Sequence, residues 1–160
     1  MNITDRATFD LLCIGTAASF LHELSHARYA ALAERPTTIK EERRSDEFAR
    51  QFLTQNAGVY AAAINQPVDV VLGKRAMGLS IAAYIIHEQT PAAQQGSDTH
   101  PSSADRFRQL VGGVPVSDDA DCWVFAASLV VSILRRRNAF LNEVPLTTAR
   151  DLFNNLVTAL

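Results

Sequence analysis

Apolar residues recur every three to four positions along most of the chain, the spacing that places them on one face of an α-helix. No run of alternating apolar and polar residues is followed by a hairpin turn, so the pattern does not predict a sheet. The fold class is therefore predicted to be mainly α, a compact bundle of about six helices with the helix at residues 6–33 central. The predicted helices cover residues 6–33, 38–56, 67–89, 101–111, 119–137 and 147–159.

Local signals predict where these helices begin and end. Pro36 disfavours helical backbone in the residue before it, so the first helix should end just upstream. Thr37 or Thr38 is expected to cap the second helix, and Thr38 followed three residues later by Glu41 is the pattern of a capping box. Asn56 and Gly58 are residue types that stop helices, and the second helix is expected to end there.

Two further features of the sequence bear on packing. The longest apolar segment, residues 122–134, is shorter than the roughly 20 residues that span a bilayer, and we expect it to be a buried core helix. Gly73 and Gly78 lie inside the third predicted helix, where each costs about 1 kcal/mol relative to alanine. They are expected to let another helix approach closely.

Composition and charge narrow the class of protein. A chain of 160 residues fits one domain, 1–160, and 48% hydrophobic with 20% charged residues favours a folded chain over a disordered one. The formal net charge is −2, without the basic excess of a nucleic-acid-binding domain. Cys13 and Cys122 lie in separate apolar segments, and no signal-peptide pattern opens the chain. We therefore expect a cytoplasmic protein that binds no nucleic acid.

Residues 22–26 read His-Glu-Leu-Ser-His, a complete HExxH motif inside the first predicted helix. His22 and His26 are about 40° apart around the helix axis, so both can bind one metal ion. Glu23 is adjacent and can reach a water molecule on that ion. In zinc hydrolases with this pattern, the metal activates the water and the glutamate passes its proton to the leaving group. The motif predicts a zinc-dependent hydrolase.

A catalytic zinc site needs a third protein ligand. The variant with a third histidine, HExxHxxGxxH, is excluded because other residues occupy its Gly and last His positions. Glu42 and Asp46 lie one turn apart on the second predicted helix, so Glu42 can bind the metal while Asp46 hydrogen-bonds a ligand histidine. Glu34 and Glu41 are the alternative third ligands, and manganese, iron or cobalt could take the place of zinc.

Three elements of the sequence together resemble a known group of enzymes. They are HExxH, an ExxxDxFA element at Glu42, Asp46, Phe48 and Ala49, and Thr99-His100-Pro101 followed by Arg106. The set, which spans residues 21–106, resembles the gluzincin metallopeptidases. Within that group it is similar to the CAAX-prenyl-protease and HtpX type. It is also similar to the smaller soluble branch of phage-exclusion Lit and ImmA/IrrE-like peptidases.

The resemblance implies a role for each matching residue of the metal site. His22, His26 and Glu42 would be the zinc ligands, and Glu23 would be the general base and acid. Asp46 would orient a ligand histidine from outside the metal's own shell.

The third element adds two residues. The resemblance implies that His100 faces the site from its far side and that Arg106 is its structural partner. A histidine ahead of a helix that starts with proline could also stabilise the oxyanion of an attacked carbonyl. Arg106 is expected to form an ion pair that stabilises the fold, with Asp46 or Glu47.

The chain also departs from the prenyl-protease pattern. The long membrane-spanning helices of those enzymes are absent, so we expect no membrane span and no lipidated substrate. Few residues precede HExxH, which leaves little room for the edge strand that aligns peptide substrates in metallopeptidases.

These observations support two hypotheses. The first is a zinc metalloendopeptidase that hydrolyses peptide bonds of a protein substrate. The alternative is a metal-binding, catalytically weak regulatory or interaction protein of the same fold. The intact Glu23 favours the first hypothesis. A protein that no longer catalysed the reaction would often lose this base first, because metal binding and folding do not need it. His87-Glu88 has no second histidine four residues on, so it is expected to be a surface pair and not a second metal site.

Overall fold

The computed structural model describes residues 3–32, 36–90, 94–137, 139 and 147–160 of the chain. These residues form seven α-helices and one π-helical turn, and no strand occurs among them. In chain order the elements are α1 (Ile3–Ala30), α2 (Thr38–Gln55), α3 (Ala57–Ala63), α4 (Val68–Gln89), α5 (Ser103–Phe107), a π-helical turn (Arg108–Gly112), α6 (Asp121–Arg136) and α7 (Ala149–Thr158).

The prediction of a mainly helical bundle is confirmed. Each of the six predicted helices has a counterpart, and the helix predicted over 101–111 is built as α5 followed by the π-helical turn. The short helix α3 was not predicted. Its sequence, Ala-Gly-Val-Tyr-Ala-Ala-Ala, is rich in the strongest helix former, and Ala57 and Ala61 are buried. Gly58 therefore lies within a helix and does not end one, although α2 does end at Gln55.

The capping box predicted for the second helix is wrong. Thr37 is the N-cap residue of α2, and its side chain accepts no capping hydrogen bond. Glu41 lies against His26 of α1, with its Oε1 2.7 Å from the histidine Nδ1. The Glu41 carboxylate therefore contacts another helix, whereas the local pattern predicted that it would cap the start of its own. The described chain does contain a capping box, at Thr148 and Asp151 of α7.

The core is formed where α4 packs against α1 on one side and α6 on the other, and α7 covers α6. The apolar run predicted to be a core helix is α6, whose Trp123 and Val130 are fully buried. The Trp123 ring lies 5.5 Å from the ring of Phe153 on α7, the centroid distance of a favourable aromatic pair. This packing ties the last helix to the bundle.

One described helix, α4, is long and apolar enough by length and composition to cross a bilayer. Half of its most apolar window is buried within the bundle. A buried core helix can have the same length and apolar composition, so the finding is weak evidence for a membrane span.

Helices α1 and α4 approach closely at Gly78. A Cβ atom at this position would lie 2.4 Å from the Ile14 side chain of α1, well inside van der Waals contact. The expectation of a close approach therefore holds at Gly78. It does not hold at Gly73, where a Cβ would have nothing within 4 Å.

The two glycines give a matched pair of substitutions. We expect Gly78→Ala to lower the free energy of unfolding by about 1–3 kcal/mol, because it overpacks the α1–α4 contact. Gly73→Ala should raise the free energy of unfolding by up to about 1 kcal/mol, because alanine is the better helix former. Urea denaturation of both variants measures the difference. Equal effects of the two substitutions would contradict close packing at Gly78.

Candidate metal centre

The HExxH motif lies in the C-terminal half of α1, on the face that packs against α2 and α4. Ala18, Leu21, His22 and Ser25 are buried on this face at the three- and four-residue spacing of an amphipathic helix. His26 lies at its edge, next to α2. The Nε2 atoms of His22 and His26 are 3.0 Å apart. The helix therefore aims both imidazoles at one point.

Glu42 of α2 completes a group of three donors with the two histidines. Its Oε1 lies 3.3 Å from His26 Nε2, and its Oε2 lies 3.5 Å from His22 Nε2. The three ligand atoms lie within 4.8 Å of one another. Metal bonds of 2.0–2.1 Å in tetrahedral geometry would separate ligand atoms by roughly 3.3 Å. The donor set and its spacing thus fit a divalent metal ion, and this group could hold one.

The alternatives for the third ligand separate in the structure. Glu42 belongs to the donor group, whereas Glu41 contacts the outer nitrogen of His26. Glu34 lies outside the described residues.

Each histidine of the pair has a carboxylate on the nitrogen that points away from the donor group. Asp46 Oδ1 lies 2.9 Å from His22 Nδ1, and Glu41 Oε1 lies 2.7 Å from His26 Nδ1. Such partners fix the tautomer and the ring orientation and leave Nε2 for the metal. The sequence predicted this place for Asp46, whereas it offered Glu41 only as an alternative third ligand.

Arg106 of α5 joins the two carboxylates of α2. Its Nη1 donates a hydrogen bond to Asp46 Oδ1 at 2.9 Å, and its Nη2 donates to Glu42 Oε2. Of the two ion pairs expected from the sequence, the structure forms the one with Asp46. Glu47 instead lies 3.5 Å from Arg50 on its own helix. The guanidinium thereby positions both the candidate ligand Glu42 and the carboxylate behind His22.

Glu23 and His100 line one pocket together with His22, Glu42 and Arg106. Glu23 follows the first ligand histidine on α1 and is exposed. His100 precedes α5, and its Nε2 lies 4.0 Å from Glu42 Oε1. The structure therefore brings together every site residue chosen from the sequence: five line the pocket, and Asp46 and His26 contact lining residues, His22 and Glu42 respectively.

The charges of the centre shift two pKa values in opposite directions. Burial by itself lowers the pKa of His22, but the carboxylates of Asp46 and Glu42 outweigh it and raise the pKa to about 9. Burial raises the pKa of Glu42, but His22 and Arg106 outweigh it and lower the pKa to about 2. In the metal-free chain His22 therefore stabilises the fold fully below its ordinary pKa of 6.5 and loses this effect as the pH rises through 9. Glu42 stabilises the fold above 4.5 and loses its effect as the pH falls through 2.

We expect metal binding at pH 7 to release about one proton per ion. His22 is protonated in the metal-free chain and must become neutral to bind a metal, whereas Glu42 is already ionised. The apparent affinity for zinc should therefore rise between pH 7 and pH 9 and level off above. Calorimetric titration in buffers with different ionisation enthalpies measures the released protons. An affinity that is flat between pH 7 and pH 9 would contradict the raised pKa of His22.

His87-Glu88 belongs to no group of three or more potential metal ligands in the part of the chain that the structure describes. His87 is buried, contrary to the surface location expected for it, and its Nδ1 lies 2.7 Å from Ser103 Oγ. Its neighbour Glu88 is exposed and pairs with Arg136. Among the described residues, one group of three or more potential metal ligands occurs, and it is the one on α1 and α2.

Comparison with known families finds one that matches most of the chain. The family model described as Peptidase U49 matches residues 1–126, a span that contains every residue of the candidate centre. No curated protein and no solved structure significantly matches the chain. The expectation of a peptidase is confirmed at this level, and the gluzincin type remains a prediction.

Proposed function

The chain belongs to the peptidase U49 family, and we propose that it hydrolyses peptide bonds of a protein substrate with a metal ion held by His22, His26 and Glu42. The observation that carries the proposal is the convergence of these three side chains, two of which, His22 and Glu42, line a pocket together with Glu23. Neither the family nor the fold alone would specify a metal.

Zinc fits the donor set best. Two imidazole nitrogens and one carboxylate are the protein ligands of many catalytic zinc sites, which keep a fourth position for water or substrate. Manganese, iron and cobalt accept the same ligand types. When bound, the metal would lower the pKa of a water molecule and polarise the carbonyl of the scissile bond.

Glu23 is the proton carrier in this proposal. Glu23 is exposed, follows the candidate ligand His22 in the chain, and lines the same pocket. A carboxylate there can accept the proton of the attacking water and then deliver it to the amide nitrogen of the leaving group. The same group therefore serves as base and then as acid.

His100 is the candidate donor to the reacting carbonyl in this proposal, since it lines the same pocket as Glu23 and His22. Its Nε2 lies near Glu42 Oε1, and its Nδ1 lies 2.9 Å from Thr99 Oγ1, which orients the ring. A donor in this place stabilises the negative charge that develops on the carbonyl oxygen. We assign this role to His100, with Arg106 holding Glu42 beside it.

Metal content and proteolysis test the proposal together. We expect the wild type to bind about one zinc per chain and to cleave casein or the intact proteins of a proteome. A chelator should remove both the zinc and the activity, and added zinc should restore them. Glu42→Ala should lose most of its zinc and its activity, because one of three ligands is gone. Glu47→Ala, on the exposed side of the same helix, is the control and should keep both.

The outcomes separate the two hypotheses. A wild-type protein without stoichiometric metal would overturn the proposal. Zinc bound by the wild type without cleavage of any substrate would favour the regulatory protein of the same fold. Cleavage that survives full metal removal would identify a different type of peptidase.

A further inference from the structure

His87 lies on α4, outside the candidate metal centre, and contacts the first residue of α5. Its Nδ1 is 2.7 Å from Ser103 Oγ, and both residues are almost fully buried, at 6% and 5% exposure. A serine hydroxyl can donate or accept, so the hydrogen bond forms with either tautomer of the imidazole. Burial lowers the pKa of His87. The positive charges of Arg137 and Arg136 also lower it, and the negative charge of Glu88 raises it. The net effect is a pKa below the ordinary 6.5, so His87 is neutral at pH 7.

A second set of contacts ties the loop before α5 to the same place. The Gln94 side-chain amide donates to the backbone oxygen of His87 at 3.3 Å, and Ser103 N donates to the backbone oxygen of Gln94 at 3.2 Å. Arg137, the C-cap residue of α6, donates to Gln94 Oε1 at 3.0 Å. The start of α5 is thus held by α4 directly and by α6 through Gln94.

Ser103 stands midway between two residues of the pocket. His100 lies three residues before it, and Arg106 lies three residues after it, close to one turn along α5. The segment before Ser103 is held by a turn of its own, in which Ser97 N donates a hydrogen bond to the backbone oxygen of His100 at 2.9 Å. A shift of Ser103 along or around the α5 axis would therefore move both His100 and Arg106 relative to Glu42.

We propose that His87 is a positioning residue for the pocket: through its hydrogen bond to Ser103 it sets the place of α5, and with it the place of His100 and Arg106 beside Glu42. The inference rests on the proposed function, and the family match assigns no role to His87. His87 itself is neither one of the candidate ligands nor one of the residues that line the pocket.

Three substitutions test the role. His87→Leu fills the space and removes the hydrogen bond, Ser103→Ala removes it from the other side, and His87→Asn retains a polar atom close to the position of Nδ1. We expect His87→Leu and Ser103→Ala each to lower kcat about 10–100-fold, with KM changed less than about threefold. The double variant should be no worse than either single one, and His87→Asn should restore most of kcat.

A second readout does not depend on activity. Hydrogen exchange of the metal-free chain should be at least about tenfold faster over residues 97–107 in His87→Leu than in the wild type. Exchange in α6 should stay unchanged, and His87→Asn should exchange nearly as the wild type does. This measurement follows the position of α5 whether or not the chain cleaves a substrate.

Several results would overturn the positioning role. One is a kcat that survives His87→Leu while only the melting temperature falls, since that is what a purely structural residue produces. Another is unchanged exchange over residues 97–107. Additive losses in the double variant would show that the two side chains act separately. If the wild type cleaves nothing, the proposed function fails, and the exchange result alone decides the role of His87.

Discussion

Glu23→Gln is expected to lower kcat/KM for cleavage of a protein substrate about 10³-fold and to leave the zinc content near one per chain. Glutamine keeps the shape of glutamate but cannot take a proton from water, and general base catalysis typically contributes 10²–10⁴-fold. The metal should remain because Glu23 is not among the three converging donors. Zinc per chain by elemental analysis and the rate of cleavage measure the two effects on one preparation.

The matched control for Glu23→Gln is Glu47→Gln. Glu47 lies on α2 with its side chain 47% exposed, and it contacts Arg50 and Gln51 of the same helix. It should show wild-type cleavage and zinc content. A Glu23→Gln protein that retains activity within tenfold of the wild type would remove Glu23 from the proton transfer. Loss of zinc with loss of activity would instead make Glu23 part of the metal centre.

The second large effect is on stability. Arg106→Leu should lower the free energy of unfolding of the metal-free chain by about 3–5 kcal/mol at pH 7, the typical cost of removing one partner from a buried ion pair. Asp46 is 0% exposed, and Glu42 is buried beside it, so the substitution leaves two carboxylates without the guanidinium that joins them. Urea denaturation monitored by circular dichroism measures this loss.

Arg108→Leu serves as the control for Arg106→Leu. Arg108 is two residues further along, its side chain is 48% exposed, and it lies 3.7 Å from Asp105. Exposed pairs of this kind contribute less than about 1 kcal/mol, so the control should unfold almost as the wild type does. If both variants lose the same small amount of unfolding free energy, the hydrogen bonds of Arg106 to Asp46 and Glu42 do not hold α5 to α2.

The helices were largely predictable because each depends on a local pattern. The apolar run of 122–134 predicted a helix with a buried face, which α6 has. The apolar spacing along 6–33 and 67–89 predicted α1 and α4, although Phe9, Leu12 and Phe20 of α1 are exposed. The errors occurred where tertiary contacts compete with local ones. Glu41 matched a capping pattern, yet it contacts the imidazole of His26 on another helix.

The proximity of the two candidate ligand histidines was predictable for the same reason, and the carboxylate that joins them was not. Two histidines four residues apart on one helix face share a site wherever that helix lies. Whether Glu41 or Glu42 joins them depends on the rotation of α2 against α1, which no local pattern encodes. The structure aims Glu42 at both Nε2 atoms and Glu41 at the outer nitrogen of His26.

The sequence by itself thus determined a mainly helical chain with a HExxH helix and a carboxylate helix after it, because helical periodicity is a property of neighbouring residues. The tertiary structure decided which carboxylate faces the histidines, that Arg106 joins Asp46 to Glu42, and that His87 is buried against Ser103. These contacts join residues distant in the chain, and they depend on how whole helices pack. The packing of the helices depends on many contacts throughout the core, so no short motif predicts it.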